Sequence, residues 1–202
     1  NNGNLIVKNI VCDNTISESS KVKTCIGNDS TGTVTINGGS FHVHNYNNGG
    51  KIIINGGNFE ETTFQNTNGT ITINGGNFNS VNNTLVTNTR GNVVINKGNF
   101  NVSGIVRNYD DNYLWNEEKI PSTITMNGGT VNSTGNVFEN SGFSNYNVIT
   151  INGGKITSSG RVIFANSGDE IFIKGGEIIY TGPDKGEVFS YVGTLTIGQD
   201  DG

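Results

Sequence analysis

The sequence predicts an all-β solenoid: one chain wound into about eight short coils, each adding strands to three parallel sheets. Three observations carry that prediction. The phrase Thr70-Ile71-Thr72-Ile73-Asn74-Gly75-Gly76-Asn77-Phe78 recurs along almost the whole chain. Its copies lie about 20 residues apart, the length of one solenoid turn. The composition also suits a narrow rod. Hydrophobic residues are only 32% of the 202, and 30 glycines stand against two prolines, as many sharp corners require.

The first strand column comes from the alternation within the phrase. Ile71 and Ile73 face one side and Thr70 and Thr72 the other, the period of a strand with one buried face. The same pattern places strands at Thr33–Ile36, Lys51–Ile54, Thr70–Ile73, Asn92–Ile95, Thr123–Met126, Val148–Ile151, Glu170–Ile173 and Thr194–Ile197. Each ends on a corner residue: Asn37, Asn55, Asn74, Asn96, Asn127, Asn152 and then Lys174, at steps of 18, 19, 22, 31, 25 and 22 residues. The Gly-Gly pair after the corner Asn permits positive φ. The corner Asn side chains are expected to form a hydrogen-bonded ladder that satisfies buried polar groups.

A second column follows the corner: Phe41, Phe59, Phe78, Phe100, Val131, Ile156 and Ile178. Stacked at the inter-strand spacing of about 4.8 Å, these side chains form the core. A third phrase closes most coils. Val137-Phe138-Glu139-Asn140 and Ile163-Phe164-Ala165-Asn166 are read in one alignment, with relatives at Leu85-Val86-Thr87-Asn88, Ile105-Val106-Arg107-Asn108 and Val188-Phe189-Ser190-Tyr191.

The whole span 1–202 reads as one domain. Within it, 1–32 is an irregular first coil, 101–122 a loop insertion, and the last coil is cut short at Gly202. In the first coil Val7 falls in the strand column, Cys12 in the Phe column and Cys25 in the closing phrase. The two cysteines form either one staple, which implies an oxidising compartment, or a pair of small core residues with free thiols.

The repeated phrase resembles right-handed parallel β-helix proteins of the pectate-lyase-like superfamily. More narrowly, it is similar to adhesin-like repeat regions of large bacterial cell-surface proteins, as is the ending Gly193-Thr194-Leu195-Thr196-Ile197-Gly198. The resemblance implies a single right-handed parallel β-helix, an extracellular or wall-attached location and a non-catalytic binding role. A glycan or host-surface molecule is the implied ligand, and end-to-end stacking with further coils the implied assembly. A polysaccharide-degrading lyase or hydrolase and a purely structural stalk are the other roles that such helices carry. The Gly-His-Gly and Arg-Ile-Lys motifs of the β-helix polygalacturonases do not occur in the chain.

Charge narrows the partners. The net charge is −5 and no Lys/Arg cluster offers a footprint for nucleic acid. No apolar run approaches the roughly 20 residues of a membrane span. The candidate ligand site is Tyr109, Asp110, Asp111, Tyr113 and Trp115, within the longest step between corners. Aromatic faces there stack on sugar rings while carboxylates bind hydroxyls, on a loop projecting from a rigid rod. The outward face around Asn58, Asn77 and Asn99 is the alternative. No catalytic residue, metal ligand or cofactor is assigned. His42 and His44, with Glu60 one coil away, face outward on a flat sheet without a pocket. The outward Thr pairs, such as Thr70/Thr72, are broken by Lys51/Ile53 and Glu170/Phe172, which argues against an ice-binding surface.

Overall fold

A computed structural model describes residues 3–13, 24–29, 31–110, 120–142, 146–183, 186–191 and 193–198. Among them every regular element is a β-strand, so no helix is long and apolar enough to cross a membrane. The chain is a parallel β-solenoid of about seven turns. That is slightly fewer than the eight expected.

The first sheet holds nine parallel strands, beginning with Asn4–Val7 and ending with Gly193–Ile197. Its rungs follow the sequence columns residue for residue. Thr70 pairs with Lys51 and Asn92, and Ile73 with Ile54 and Ile95. Alternation explains the burial: Ile71 and Ile73 are fully buried while Thr70 and Thr72 are half-buried on the outer face.

At the corner only the second glycine takes a left-handed backbone. Gly76 has φ +113°, and a Cβ there would meet Gly57 O at 3.2 Å and the Phe78 ring at 3.3 Å. The first position needs no positive φ but is tight, since a Cβ on Gly75 would meet Asn55 O at 2.7 Å, and the fourth such corner nevertheless carries Lys97 there. The corner Asn ladder exists. Asn74 Nδ2 donates to Asn55 Oδ1 at 2.9 Å and Asn96 Nδ2 to Asn74 Oδ1 at 2.8 Å, with the same links continuing to Asn152. Its members are exposed or half-buried, so the expectation that it satisfies buried groups is corrected.

The second column stacks as expected. Phe41, Phe59, Phe78 and Phe100 lie nearly parallel, with successive ring centroids 4.8, 4.6 and 4.8 Å apart. Val131, Ile156 and Ile178 continue the register. The second and third sheets are not separate, however. The strands Asn77–Thr89 and Asn99–Asp110 run through both, so the two merge into one sheet of fourteen strands. In those coils the turn between sheets is a bend with a register shift between Ser80 and Thr84. Of the span read as an insertion at 101–122, residues 101–110 belong to the strand Asn99–Asp110, and 111–119 lie outside the described residues.

A second, buried Asn ladder runs inside the closing strands. Asn28, Asn47, Asn66, Asn88, Asn108 and Asn140 each accept from or donate to the next at 2.7–2.8 Å. All are at most 6% exposed. In the first four the spare N–H is used as well: Asn28 donates to Gly32 O at 3.0 Å, Asn47 to Gly50 O at 2.9 Å, Asn66 to Gly69 O at 3.0 Å and Asn88 to Gly91 O at 2.9 Å. This ladder, not the corner one, solves the problem of buried polar groups.

The ladder breaks after Asn140 because the next closing strand is offset by one residue from the alignment. Phe138 pairs with Ile163 and Glu139 with Phe164, so Asn166 does not stack on Asn140. The offset buries Val162, Ile163 and Ala165 and turns Phe164 partly outward, where the Arg161 guanidinium lies 5.8 Å from its ring. Asp169, 1% exposed, lies at the ladder's end. Its carboxyl accepts from Asn147 N at 2.9 Å and Asn166 N at 2.8 Å. Asn140 Nδ2 has no partner at hydrogen-bonding distance, yet its amide still lowers the pKa of that carboxyl.

Burial outweighs these donors and raises the Asp169 pKa above the ordinary carboxylate value. The folded state therefore holds the proton more tightly than the unfolded state. Its stability contribution is fully present below the unfolded pKa of about 3.9 and is lost as pH rises through the folded value. Thermal melts of wild type and Asp169→Asn from pH 3 to 7 should show the stability difference, variant minus wild type, growing with pH. A difference that shrinks would mean that the backbone donors prevail and the pKa is depressed.

In the first coil Cys12 pairs in register with Phe41, at the foot of the Phe stack. It is disulfide-bonded to Cys25 with Cα atoms 6.0 Å apart, which decides between the staple and the free thiols. Closing a loop of this length contributes about 3 kcal/mol through the unfolded chain.

Candidate ligand-binding site

The closing strands place the site. In His44–Asn48 the inward residues are Asn45 and Asn47, so His44 and Tyr46 face out. In Thr63–Thr67, Phe64 and Asn66 are inward and Gln65 outward. Parallel pairing then lines up Tyr46, Gln65, Thr87, Arg107 and Glu139 as one outward column. Where the sheet bends between its second and third parts, this column floors an open groove of about 550 Å³. Thr24, His44, Tyr46, Gln65, Asn83 and Arg107 are among the residues lining it.

The groove is polar but largely neutralised. Tyr46 Oη donates to Asp29 Oδ2 at 3.2 Å, and the neighbouring carboxylate charge raises the phenol pKa, keeping it a neutral donor at physiological pH. His44 Nδ1 is hydrogen-bonded to Thr63 Oγ1. Arg107 Nε lies 3.1 Å from Glu139 Oε1 and donates to Ser141 Oγ at 2.6 Å. Its guanidinium carbon is 5.1 Å from the centroid of the Tyr109 ring. Arg107 and Tyr109 are two apart on one strand, hence on the same outer face. The result is two half-exposed phenol rings flanking amide, imidazole and guanidinium donors.

Of the residues singled out in the sequence, Tyr109 stands on this face, 37% exposed, with its carbonyl accepting from Thr89 Oγ1 at 2.6 Å. Asp110 ends the strand. Asp111, Tyr113 and Trp115 lie outside the described residues. The corner that leads into the first sheet carries unusual backbone at two described residues: Arg90 and Tyr146 have φ +51° and +90° at positions where other coils use Gly49, Asn68 and Gly168. Side chains in the left-handed region cost about 1–2 kcal/mol each, and such strain concentrates at functional sites. Arg90 Nε is buried and unpartnered.

The outward histidines do not form a metal site with Glu60. His44 is engaged with Thr63, and Glu60 Oε2 accepts from Asn79 Nδ2 at 2.7 Å. Among the described residues no group of three or more His, Cys, Asp and Glu could hold a metal ion. Reading the sequence missed the groove because its lining comes from five coils. The available signal was that Tyr46, Gln65 and Arg107 depart from the small polar residues usual at outward positions.

No family model matches the chain, nor does any curated protein or solved structure.

Proposed function

We propose that the chain is a segment of an extracellular, surface-attached bacterial solenoid that binds a glycan or other host-surface molecule without transforming it. Within that reading it is an adhesin-like β-helix of the pectate-lyase-like kind. The single observation that supports it most is the open groove beside Tyr46, Gln65 and Arg107. Exposed aromatic rings next to phenol, amide and carboxylate-paired guanidinium donors suit sugar faces and hydroxyls. The Cys12–Cys25 bond fits an oxidising compartment. Exposed apolar residues at both ends, Leu5 and Ile6 at one and Ile197 at the other, suit end-to-end stacking with further coils. A structural stalk is the second reading, favoured by ladders that run unbroken over five or more coils.

A glycan array tests both. Wild-type hits are expected, with Tyr46→Ala and Trp115→Ala each weakening binding about tenfold, the equivalent of one 1.4 kcal/mol contact. The melting temperature should stay nearly constant. An array without hits favours the stalk. Release of reducing sugar from a tested polysaccharide would instead establish the enzyme alternative.

A further inference from the structure

The two Asn ladders differ in one respect that bears on binding. Inside the solenoid both N–H bonds of Asn47, Asn66 and Asn88 are consumed, one by the next Asn and one by a glycine carbonyl. At the corner each carboxamide spends one N–H and one oxygen lone pair along its ladder and turns the rest toward solvent. A parallel exposed ladder runs beside it: Asn77 Nδ2 donates to Asn58 Oδ1 at 3.1 Å and Asn99 Nδ2 to Asn77 Oδ1 at 3.0 Å.

Between these rails lies a groove of about 510 Å³, bounded by Asn74 on one side and by Asn58, Asn77 and Asn99 on the other. Its floor is backbone at Gly57 and Gly76, so no side chain obstructs it there. Lys97 also lines it, standing where the neighbouring coils have Gly75 and Gly128.

We propose that this corner groove is a second binding site, which takes an extended, uncharged glycan chain lying along the solenoid axis. Each rung offers the same donor–acceptor pair, and rungs recur at the strand spacing of about 4.8 Å. A periodic hydroxyl-bearing polymer with a similar rise, such as a β-1,4-linked glucan, meets one carboxamide after another without changing conformation. Coiled α-linked chains of the same sugar lose that register. Carboxamides also bind hydroxyls in both directions, as donor and as acceptor, which suits a neutral ligand. Lys97 fills the otherwise open glycine column and ends the track.

Calorimetric titration with cellotriose, cellohexaose and maltohexaose is the test. Cellohexaose should bind more tightly than cellotriose and at least tenfold more tightly than maltohexaose. The triple variant Asn58→Ala/Asn77→Ala/Asn99→Ala should lose at least tenfold, with an unchanged melting temperature because these side chains are exposed. Lys97→Gly, which restores the column's usual residue, should strengthen binding of cellohexaose but not of cellotriose. Tyr46→Ala should leave cellohexaose binding intact, separating this site from the third-sheet groove. Equal binding of maltohexaose, no gain with length, or full affinity in the triple variant would overturn the proposal.

Discussion

Phe78→Ala is expected to lower the unfolding free energy by about 3–5 kcal/mol, the range for emptying a buried aromatic site. Phe78 is 1% exposed, and its ring lies 4.6 Å from that of Phe59 and 4.8 Å from that of Phe100. Both neighbours lose a contact face, and neither can shift to close the gap because strand pairing fixes each at its own rung. A solenoid is stabilised by nearest-neighbour interfaces, so the loss falls at two adjacent interfaces in mid-rod. Urea unfolding should therefore show a lower midpoint. Hydrogen exchange should speed up most in the coils from Lys51 to Asp110. A loss below 1 kcal/mol would mean that the stack contributes little beyond filling space.

Asn88→Ala is the second large effect, at about 2–6 kcal/mol. The side chain is fully buried, accepts from Asn66 Nδ2 at 2.7 Å and donates to Asn108 Oδ1 at 2.8 Å. Its removal takes the donor from Asn108 Oδ1 and one acceptor from Asn66 Nδ2, and each buried polar group left unpaired costs about 1–3 kcal/mol. The matched control is Asn74→Ala in the corner ladder. There water replaces the missing partner, and the expected loss is below about 1 kcal/mol. Melting curves of the two variants decide which ladder is structural. Equal losses would refute the distinction between them.

Much of this architecture was legible in the residues. The corner phrase gave the first sheet's register at every rung, and the Phe column stacked as read. The candidate site was legible only at its edge. Tyr109 stands out as an aromatic at the start of an irregular stretch. By contrast Tyr46, Gln65 and Arg107 are separated by 19 and 42 residues and share one column only when four coils are stacked, with Thr87 between the last two. No local pattern reports which outward columns sit in the bend of a sheet.

The sequence by itself determined the solenoid, its strand columns and the Asn-Gly-Gly corners that permit positive φ, while the structure singled out the second glycine. Side chains of like kind recur once per coil, and a period-2 strand leaves one buried face for each. Only the tertiary structure decided which Asn column is buried, that Phe138 pairs with Ile163, and that Asp169 ends the inner ladder. Those outcomes depend on how far each coil lies from its neighbours and on which side of the sheet water reaches. Identical carboxamides serve as structure where water is excluded and as free binding groups where it is not.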